Sequence, residues 1–275
     1  PVNPEARENF QAVRNLIFAG RFAEAEEMAD RHLMSRPLRQ MSFQPAGDFW
    51  IAQALREPTR DYRRSLDLDT AIARTTFRSG GVTFTREVFA TAVDGVIVVH
   101  LSADRPGAIH AELSLTSPQP GEPRPAGDGG LSWRGANRSA EGIEGKLRLA
   151  LDARIVTTGG RLEPHGSKIN VGDADEVVIL IDAATSFRRF DDTGGDPVLA
   201  VERRLDAAAR KPVAELRAAH IEDHQRLFRR FGLDLGRTTA ADLPTDRRIA
   251  ANPKTPDPAL AALYVQFGRY LMIAS

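Results

Sequence analysis

The spacing of hydrophobic and polar positions changes twice along the chain. Residues 1–42 and 196–275 repeat apolar side chains every three to four positions, which predicts helices, whereas residues 43–195 alternate with a period of two, which predicts strands. Short strands separated by turn residues are typical of antiparallel sheets. The pattern therefore predicts a mostly β protein, with a helical hairpin over 1–42, an antiparallel super-β-sandwich over 43–195, a helical linker over 196–257 and a further helix over 258–275.

The first segment predicts two helices. Asn3, Pro4 and Glu5 supply a cap, a proline at the first helical position and a first-turn acid. An apolar stripe then runs to the glycine at position 20, and it comprises Phe10, Val13, Leu16 and Ile17. The second helix, over 21–34, is expected to bury Phe22, Ala25, Ala29 and Leu33. The hairpin is similar to half of a tetratricopeptide array, but no second copy follows at about 34 residues, so we prefer a hairpin that leads to the sandwich or is inserted in it.

Within the β segment, individual strands and turns can be predicted. Alternation over residues 66–73 indicates one half-buried strand, and residues 177–181 are apolar throughout, as in a strand buried on both faces. Asp94 and Gly95 lie between valines and predict a tight hairpin. Residues 117–130 are dense in proline and glycine and are expected to form a loop.

The C-terminal segment predicts helices of a different kind. Helices are expected over 197–210 and 213–231, followed by an irregular stretch over 233–256. The last helix starts at Pro258 behind the acidic cap Asp257 and is apolar nearly all round, interrupted only by Gln266 and Arg269. Such a helix belongs in an interior, between other helices. We therefore expect the sequence to be a piece of a longer protein. Its start, which has no initiator methionine, favours the same interpretation.

Composition excludes several classes of protein. The 275 residues contain 37 Lys plus Arg and 37 Asp plus Glu, so no overall field favours nucleic acid or an anionic membrane. The absence of cysteine excludes disulfides, thiol catalysis and cysteine-bound zinc. No apolar run reaches the ~18 residues of a membrane span. Arginine far outnumbers lysine, which we take as a hint of a bacterial source.

Two histidines are the first candidates for chemistry. His220 and His224 lie four residues apart on one predicted helix, a spacing that suits joint metal ligation. They share a stripe with Leu216 and Leu227, which favours packing against a neighbouring element. Glu222 is displaced by one position from the glutamate of the zinc-protease motif. Packing is the preferred interpretation, and no metal or cofactor is expected.

Carboxylate pairs are the second group. Asp67 and Asp69 are expected on one side of a strand, and Asp191 and Asp192 lie beside a glycine turn. Such pairs serve glycosidases when they are about 5–9.5 Å apart across a sugar pocket. Strand alternation and turn chemistry already account for them, and the loop acids Glu141 and Glu144 are no stronger. We assign no catalytic residue.

Tryptophans are candidates for stacking on sugar rings. Trp50 lies in an aromatic strand and is expected in the core, whereas Trp133 follows a glycine-rich loop and is the better candidate for binding carbohydrate. The sequence around Ser132 has one residue too many for a nucleophile elbow, and the glycines from Gly127 lack the flanks of a phosphate loop. Asn137 begins a glycosylation sequon that has no role in a bacterial protein.

Several blocks resemble glycoside hydrolase family 95. They are FQPAGDF from Phe43, DYRRSLDLDTAIARTTF from Asp61, TREVFATAVDGVIVVHLSADRPG from Thr85, HIEDHQRLFRRFGLDLG from His220, LPTDRRI from Leu243 and PALAALYVQFGRYLMIAS from Pro258. The blocks follow family order and extend over nearly the whole chain. The last resembles the first helix of the family's catalytic (α/α)6 barrel.

This resemblance implies a fold and an activity. Members of the family carry an N-terminal super-sandwich and a helical linker before the barrel, and they are chiefly inverting α-L-fucosidases acting on α-1,2-linked fucose, some preferring α-L-galactosides. The implied catalytic residues lie in the barrel, beyond Ser275, so none is carried over to this sequence. The implied partners are a fucosylated glycan and the chain's own barrel, and the implied location is the periplasm or outside.

Two hypotheses of different classes remain. In the first, the chain is the front part of an inverting α-L-fucosidase that is inactive by itself. In the second, it is a stand-alone carbohydrate-binding or structural β-sandwich module. The apolar terminal helix favours the first hypothesis, because a stand-alone module would expose it to aggregation.

Overall fold

A computed structural model describes residues 3–36, 43–127, 129–140 and 142–275. It divides into two compact units. One consists of Pro1–Pro45 and Asn137–Lys146, and the other of Ala46–Ala136 and Leu147–Ser275. The segment from Asn137 therefore belongs to the same unit as the N-terminal helices.

The N-terminal unit contains the expected helical hairpin, with a different buried face. Helix α1 is Ala6–Phe18 and helix α2 is Phe22–His32. The side-chain oxygen of Asn3 accepts from the backbone N–H of Glu5 (3.1 Å) at the start of α1. Its amide donates to the carbonyl oxygens of His32 (2.9 Å) and Met34 (3.0 Å), so it links the start of one helix to the end of the other. Val13 and Ala25 are buried, whereas Phe10, Ile17 and Phe22 are exposed. The predicted burial of Phe22 is therefore wrong, and only Val13 of the apolar stripe on α1 is buried.

The second unit contains two antiparallel sheets. In chain order the strands are β1 (Asp48–Gln53), β2 (Arg60–Asp67), β3 (Ile72–Ser79), β4 (Val82–Thr91), β5 (Val96–Ala103), β6 (Ile109–Thr116), β7 (Gly121–Ala126), β8 (Gly130–Ala136), β9 (Arg148–Thr158), β10 (Arg161–His165), β11 (Lys168–Ala174) and β12 (Glu176–Thr185). The small sheet has the order β1-β6-β11-β10, and the large sheet has the order β2-β3-β4-β5-β12-β9-β8-β7. The predicted mostly β fold of antiparallel sheets followed by helices is confirmed.

The main core lies between the two sheets. Strand β6 shows why: every second residue from Ile109 to Leu115 is buried, and the residues between them are partly exposed. The inward side chains of the small sheet meet those of β5, β8, β9 and β12, and Trp133 is the largest among them. This face supplies the hydrophobic driving force that holds the sheets together.

A second core covers the other face of the large sheet. Helices α3 (Pro197–Ala209) and α4 (Val213–Phe228) pack there, and Val201 and Leu216 meet Val98, Ala150 and Leu180 of the central strands. Because these strands are buried on both faces, their sequences are almost continuously apolar. The predicted doubly buried strand at 177–181 is confirmed, since it lies within β12 at the centre of the sheet.

The last part of the chain is helical. A short 3-10 helix, Thr239–Asp242, and helix α5 (Thr245–Ala251) precede helix α6 (Pro258–Ala274). The prediction of an entirely irregular stretch over 233–256 is therefore wrong. Helix α5 follows Pro244 and has only seven residues, too few for the periodic pattern from which helices are predicted.

A hairpin replaces the single strand predicted over residues 66–73. One carboxylate oxygen of Asp67 accepts hydrogen bonds from the backbone N–H groups of Asp69 (2.9 Å) and Thr70 (3.1 Å), and Ala71 adopts a left-handed backbone with φ of 53°. This side-chain turn ends β2 and starts β3. The turn at Asp94 and Gly95 between β4 and β5 is confirmed.

Strand β7 replaces the middle of the loop predicted over residues 117–130. Its prolines, Pro123 and Pro125, lie two residues apart and pair with Trp133 and Leu131 of β8. Strand β7 is the edge of the large sheet, so their missing N–H groups leave no gap in a ladder. Glycine and proline therefore mark an edge strand here.

The two tryptophans allow a direct test of where the core lies. We expect Trp133→Ala to lower the free energy of unfolding by about 3–5 kcal/mol, because it opens a cavity between the sheets. Trp50→Ala is expected to cost less than about 1 kcal/mol, because that side chain is exposed. Urea unfolding followed by circular dichroism measures both, and equal losses would contradict this assignment of the core.

Candidate functional site

Helix α6 is fixed at its start by a buried ion pair. Asp257 accepts from the backbone N–H of Leu260 (3.0 Å), which caps the helix, and Arg248 of α5 donates to the same carboxylate at 2.8 and 3.2 Å. The side-chain amide oxygen of Asn252 accepts from the backbone N–H of Asp257 at 3.1 Å. The Arg248 guanidinium, the cap and the adjacent backbone amide lower the pKa of Asp257. The direction in which α6 leaves the linker is therefore set by one carboxylate.

Arg269 fixes the second half of α6 to the end of α4. Its guanidinium donates to the carbonyl oxygens of Phe228 (2.9 Å) and Phe231 (3.1 Å) and lies 5.0 and 5.1 Å from the centres of their rings. The side chain of Gln266 accepts from Arg269 at 2.7 Å. The last carbonyls of a helix lack partners and carry partial negative charge, so a cation there is favourable. The two polar residues that interrupt the apolar helix are thus used in a structural contact.

A cavity of about 670 Å³ lies between the large sheet, α4 and the end of α6. Its wall includes His220 and His224 of α4. These two rings belong to a stack that runs from Phe89 of β4 to Phe228 of α4, with neighbouring ring centres 4.9, 6.3 and 5.2 Å apart. Both histidines are buried, and burial lowers the pKa of His220. The predicted packing role of these histidines is confirmed.

The histidines also attach α4 to the β2–β3 turn. The Nε2 atom of His224 lies 2.8 Å from the carbonyl oxygen of Leu68, and Arg229 and Gln225 donate to the carboxylate of Asp69. The Nε2 atom of His220 has no hydrogen-bond partner among the described residues. Over the same residues, no group of three histidine, aspartate or glutamate side chains is arranged to hold a metal ion.

The predicted carboxylate pairs do not form an acid–base site. Asp67 and Asp69 lie in the β2–β3 turn, not on one face of a strand: the first forms the turn, and the second pairs with Arg229 at 2.6 Å. The Arg229 guanidinium lowers the pKa of Asp69. Asp191 pairs with Arg189 at 2.8 Å, and Asp192 accepts from the backbone N–H of Gly194. These groups are occupied by structural contacts.

The remaining polar candidates are surface features. Glu144 lies 3.7 Å from Lys146, and Glu141 falls outside the described residues. The hydroxyl of Ser132 donates to the carbonyl oxygen of Arg124 at 3.4 Å, so it is not presented as a nucleophile. Gly127 lies in the turn between β7 and β8, and Asn137 follows β8.

The burial of the two tryptophans is the reverse of the prediction. Trp133 is only 1% exposed and lies between the sheets, so the expectation that it binds carbohydrate is wrong. Its strand pairs with β7, and the facing glycines Gly121 of β7 and Gly135 of β8 leave room for the indole ring. A Cβ atom at Gly135 would lie 2.3 Å from that ring. Trp50 is 56% exposed on the outer face of the small sheet, so the expectation that it lies in the core is also wrong.

Ion pairs beneath α3 were not predicted. Asp182 and Asp152 are opposite each other on β12 and β9, and both are nearly buried. Arg204 of α3 donates to Asp182 at 2.6 Å, and Arg134 of β8 pairs with Asp152. Burial raises the pKa of Asp182, and Arg204 opposes that effect. The acid Asp182 within the apolar run of β12 was the sequence signal for such a pair. Its partner could not be named, because the pairing residues are distant in sequence.

Helix α6 presents a wide apolar surface. Ala262 alone is buried among its described residues, whereas Tyr264 and Met272 are 78% and 80% exposed. A second cavity, of about 740 Å³, lies between α6, α5 and β2 and is lined mainly by apolar side chains, including Leu260, Leu263 and Phe267. No helix of the described residues is long and apolar enough to cross a membrane. This surface is therefore the strongest candidate for a docking site.

Comparison with protein families gives two adjacent matches. Residues 2–189 match the model described as glycosyl hydrolase family 65, N-terminal domain. Residues 212–275 match the model described as glycosyl hydrolase family 95 catalytic domain. The second match begins at the residue before α4 and includes the cavity-lining histidines, Arg269 and all of α6.

Curated relatives align over most of this chain. Alpha-L-fucosidase 2 of Arabidopsis thaliana is 30% identical over 305 residues, which cover 99% of this chain and 36% of that protein. A protein of Aspergillus niger named "probable alpha-fucosidase A" is 28% identical over 78% of this chain and 28% of its own length. Its namesake in Aspergillus oryzae is 27% identical over 85% and 34%. The chain thus spans about a third of the length of these relatives.

The ion pair at the start of α6 generates a prediction. We expect Asp257→Ala to lower the melting temperature by several degrees, because it removes both the cap and the partner of the buried Arg248. Asp257→Asn keeps a capping side chain and loses only the charge, so its effect is expected to be smaller. Thermal unfolding followed by circular dichroism distinguishes the three proteins.

The same carboxylate predicts a pH dependence. The pKa of Asp257 is lower in the folded protein than the ordinary 3.8, so its contribution is fully present above that value and is lost as the pH falls through the folded pKa. The stability difference between the parent protein and Asp257→Asn should therefore shrink in acid. A difference that is constant with pH would show that the ion pair does not stabilise the linker.

Proposed function

We infer the function of this chain from its family, since it belongs to glycoside hydrolase family 95 with an N-terminal domain of the family 65 type, and we propose that it is the N-terminal part of an α-L-fucosidase. The family resemblance drawn from the sequence is confirmed. The observation that carries the proposal is the similarity to Alpha-L-fucosidase 2 of Arabidopsis thaliana, which covers 99% of the chain and so includes α6.

The proposed reaction is hydrolysis of terminal α-1,2-linked L-fucose, or of α-L-galactose, with inversion. Inversion requires a general acid for the leaving oxygen and a general base for water on the opposite face of the sugar. The carboxylates Asp67, Asp69, Asp191 and Asp192 are held by arginines or by turns, so they do not supply this pair. In this proposal the catalytic residues belong to the part of the catalytic domain that follows Ser275.

The role proposed for this chain is to support that domain. The sandwich holds α4 through the buried histidines and Asp69, and α4 holds α6 through Arg269. The exposed apolar face of α6 then packs against the helices of an (α/α)6 barrel, which would remove it from water. We further propose a bacterial enzyme located in the periplasm or outside the cell, acting on fucosylated glycans.

An activity assay tests the proposal. We expect the 275-residue chain to release no fucose from an α-1,2-fucosylated oligosaccharide, and a protein that continues through the complete catalytic domain to release it. Proton NMR of the first sugar formed identifies its anomer, and the β anomer is expected for inversion. Fucose release by the verified 275-residue chain would overturn the assignment of the catalytic residues.

A charge on the outer face of α6 tests the docking surface. We expect Met272→Asp to leave the melting temperature of this chain unchanged, because the side chain is exposed. In the longer protein it should lower the melting temperature by several degrees, because an unpaired carboxylate would be buried. Ala207→Asp, on an exposed position of α3, is the matched control and should have the same small effect in both proteins, because its cost in helix propensity does not depend on the barrel. Equal behaviour of the two variants in the longer protein would contradict barrel docking.

The alternative function is a stand-alone module that binds carbohydrate or serves only a structural role. One observation favours it, the exposed indole of Trp50. The two functions differ in what they require of α6, so the solubility of the chain with and without residues 259–275 separates them. Removal of the helix should improve solubility if α6 is a docking surface, and should change nothing in the stand-alone module.

A further inference from the structure

The outer face of the small sheet carries a row of polar side chains beside one exposed indole ring. Strand register places Trp50 of β1 next to Ser114 of β6, Ser114 next to Lys168 of β11, and Lys168 next to His165 of β10. At about 4.8 Å between neighbouring strands, the row is about 14 Å long. A second row, beginning at the exposed Ala52, runs parallel to it.

The indole ring of Trp50 is held in a fixed orientation. Its N–H donates to the hydroxyl of Thr116 at 2.8 Å, a residue on the same face of the adjacent strand. The polar edge of the ring is therefore satisfied within the sheet, while 56% of the side chain is exposed. The neighbours of Trp50 on this face, Ala52 and Ser114, are small and do not cover the ring.

The charged groups on this face form ion pairs and leave acids in excess. Lys168 donates to Glu112 at 2.6 Å, and Arg161 pairs with Glu163 and Asp173 at 2.7 and 2.5 Å. The face consequently offers hydrogen-bond donors and acceptors together with a small excess of negative charge. Such a surface disfavours an anion and is compatible with a neutral polar ligand.

The geometry points to a non-catalytic binding platform for a neutral glycan, centred on Trp50. The C–H groups on one side of a pyranose ring carry partial positive charge and pack against the negative face of an indole, and the hydroxyl groups around the ring need donors and acceptors of the kind that Ser114, Lys168 and Glu112 supply. The choice of a fucose-bearing glycan rests on the proposed function.

Two features of the face favour a glycan over a protein partner. A stable protein interface buries about 800 Å² on each side and contains several clustered anchors, whereas this face has one aromatic anchor within a polar surface. Helices α3 and α4 lie on the far face of the large sheet, so the linker does not cover Trp50. A single stacking ring with few polar groups is the arrangement of a weak sugar site.

The two tryptophans make the test direct. The chain has two indole N–H groups, one exposed and one buried, so two-dimensional ¹H–¹⁵N NMR gives one signal for each, and Trp50→Phe assigns them. We titrate the 275-residue chain with fucosyl-α-1,2-lactose and with lactose to about 10 mM, a range that detects millimolar dissociation constants. The Trp50 signal should shift in a saturable manner, while the signal of Trp133 stays in place.

Each outcome bears on the platform. A shift with the fucosylated sugar alone supports the platform and shows that it recognises fucose. A shift with both sugars supports binding through the lactose part that they share. If neither sugar moves the Trp50 signal, or if both indole signals move together, the proposal is overturned. Fucose release by the longer protein is measured separately, so loss of the platform and loss of the proposed activity are distinguishable.

A binding assay with matched variants completes the test. In affinity electrophoresis through a gel containing a fucosylated polysaccharide, Trp50→Ala should abolish the retardation shown by the parent chain. Tyr62→Ala removes another exposed aromatic side chain, on the edge strand β2 of the large sheet, and should retain the retardation. An unchanged Trp133 signal verifies that Trp50→Ala is folded. Equal loss in both variants would contradict a site at Trp50.

Discussion

Helix α4 is the element through which the sheet and the terminal helix are held together. One side of it is buried on the large sheet through Leu216, His220 and His224, and its C-terminal carbonyls accept the guanidinium of Arg269. Burial lowers the pKa of His220, because desolvation disfavours its charged form. Stacked aromatic and imidazole rings form this contact with the sheet.

The two-sided burial of the large sheet follows from the same arrangement. One face meets the small sheet and the other meets α3 and α4, so the central strands cannot be polar on either side. The buried exceptions are Asp152 and Asp182, which lie within their strands and reach arginines. The Asp182–Arg204 pair joins α3 to the sheet, and the Asp152–Arg134 pair joins β9 to β8, both at the cost of desolvating an acid.

Sequence alone predicts most of this fold because its signals are local. Period-two alternation, the Asp94 and Gly95 turn, and the Asp257 cap before Pro258 all depend on residues close in sequence. The errors occur where distant residues decide. The side chain of Asp67 ends a strand that its pattern would continue, and pairing with β8 makes a strand of the proline-rich β7. The predicted burial of the two tryptophans is wrong because burial depends on which sheet face a residue occupies. Alternation along a single strand does not identify that face.

The exposed groups show how a support domain takes part in function. Apolar side chains on α6 are costly in water. The polar residues within that helix, Arg269 and Gln266, bond to each other. In the proposed function, the apolar face of α6 is covered by further helices. Trp50 differs, because its polar edge is satisfied by Thr116 and its ring stays outward within a polar face. The first surface demands a permanent apolar partner, whereas the second suits a ligand that comes and goes.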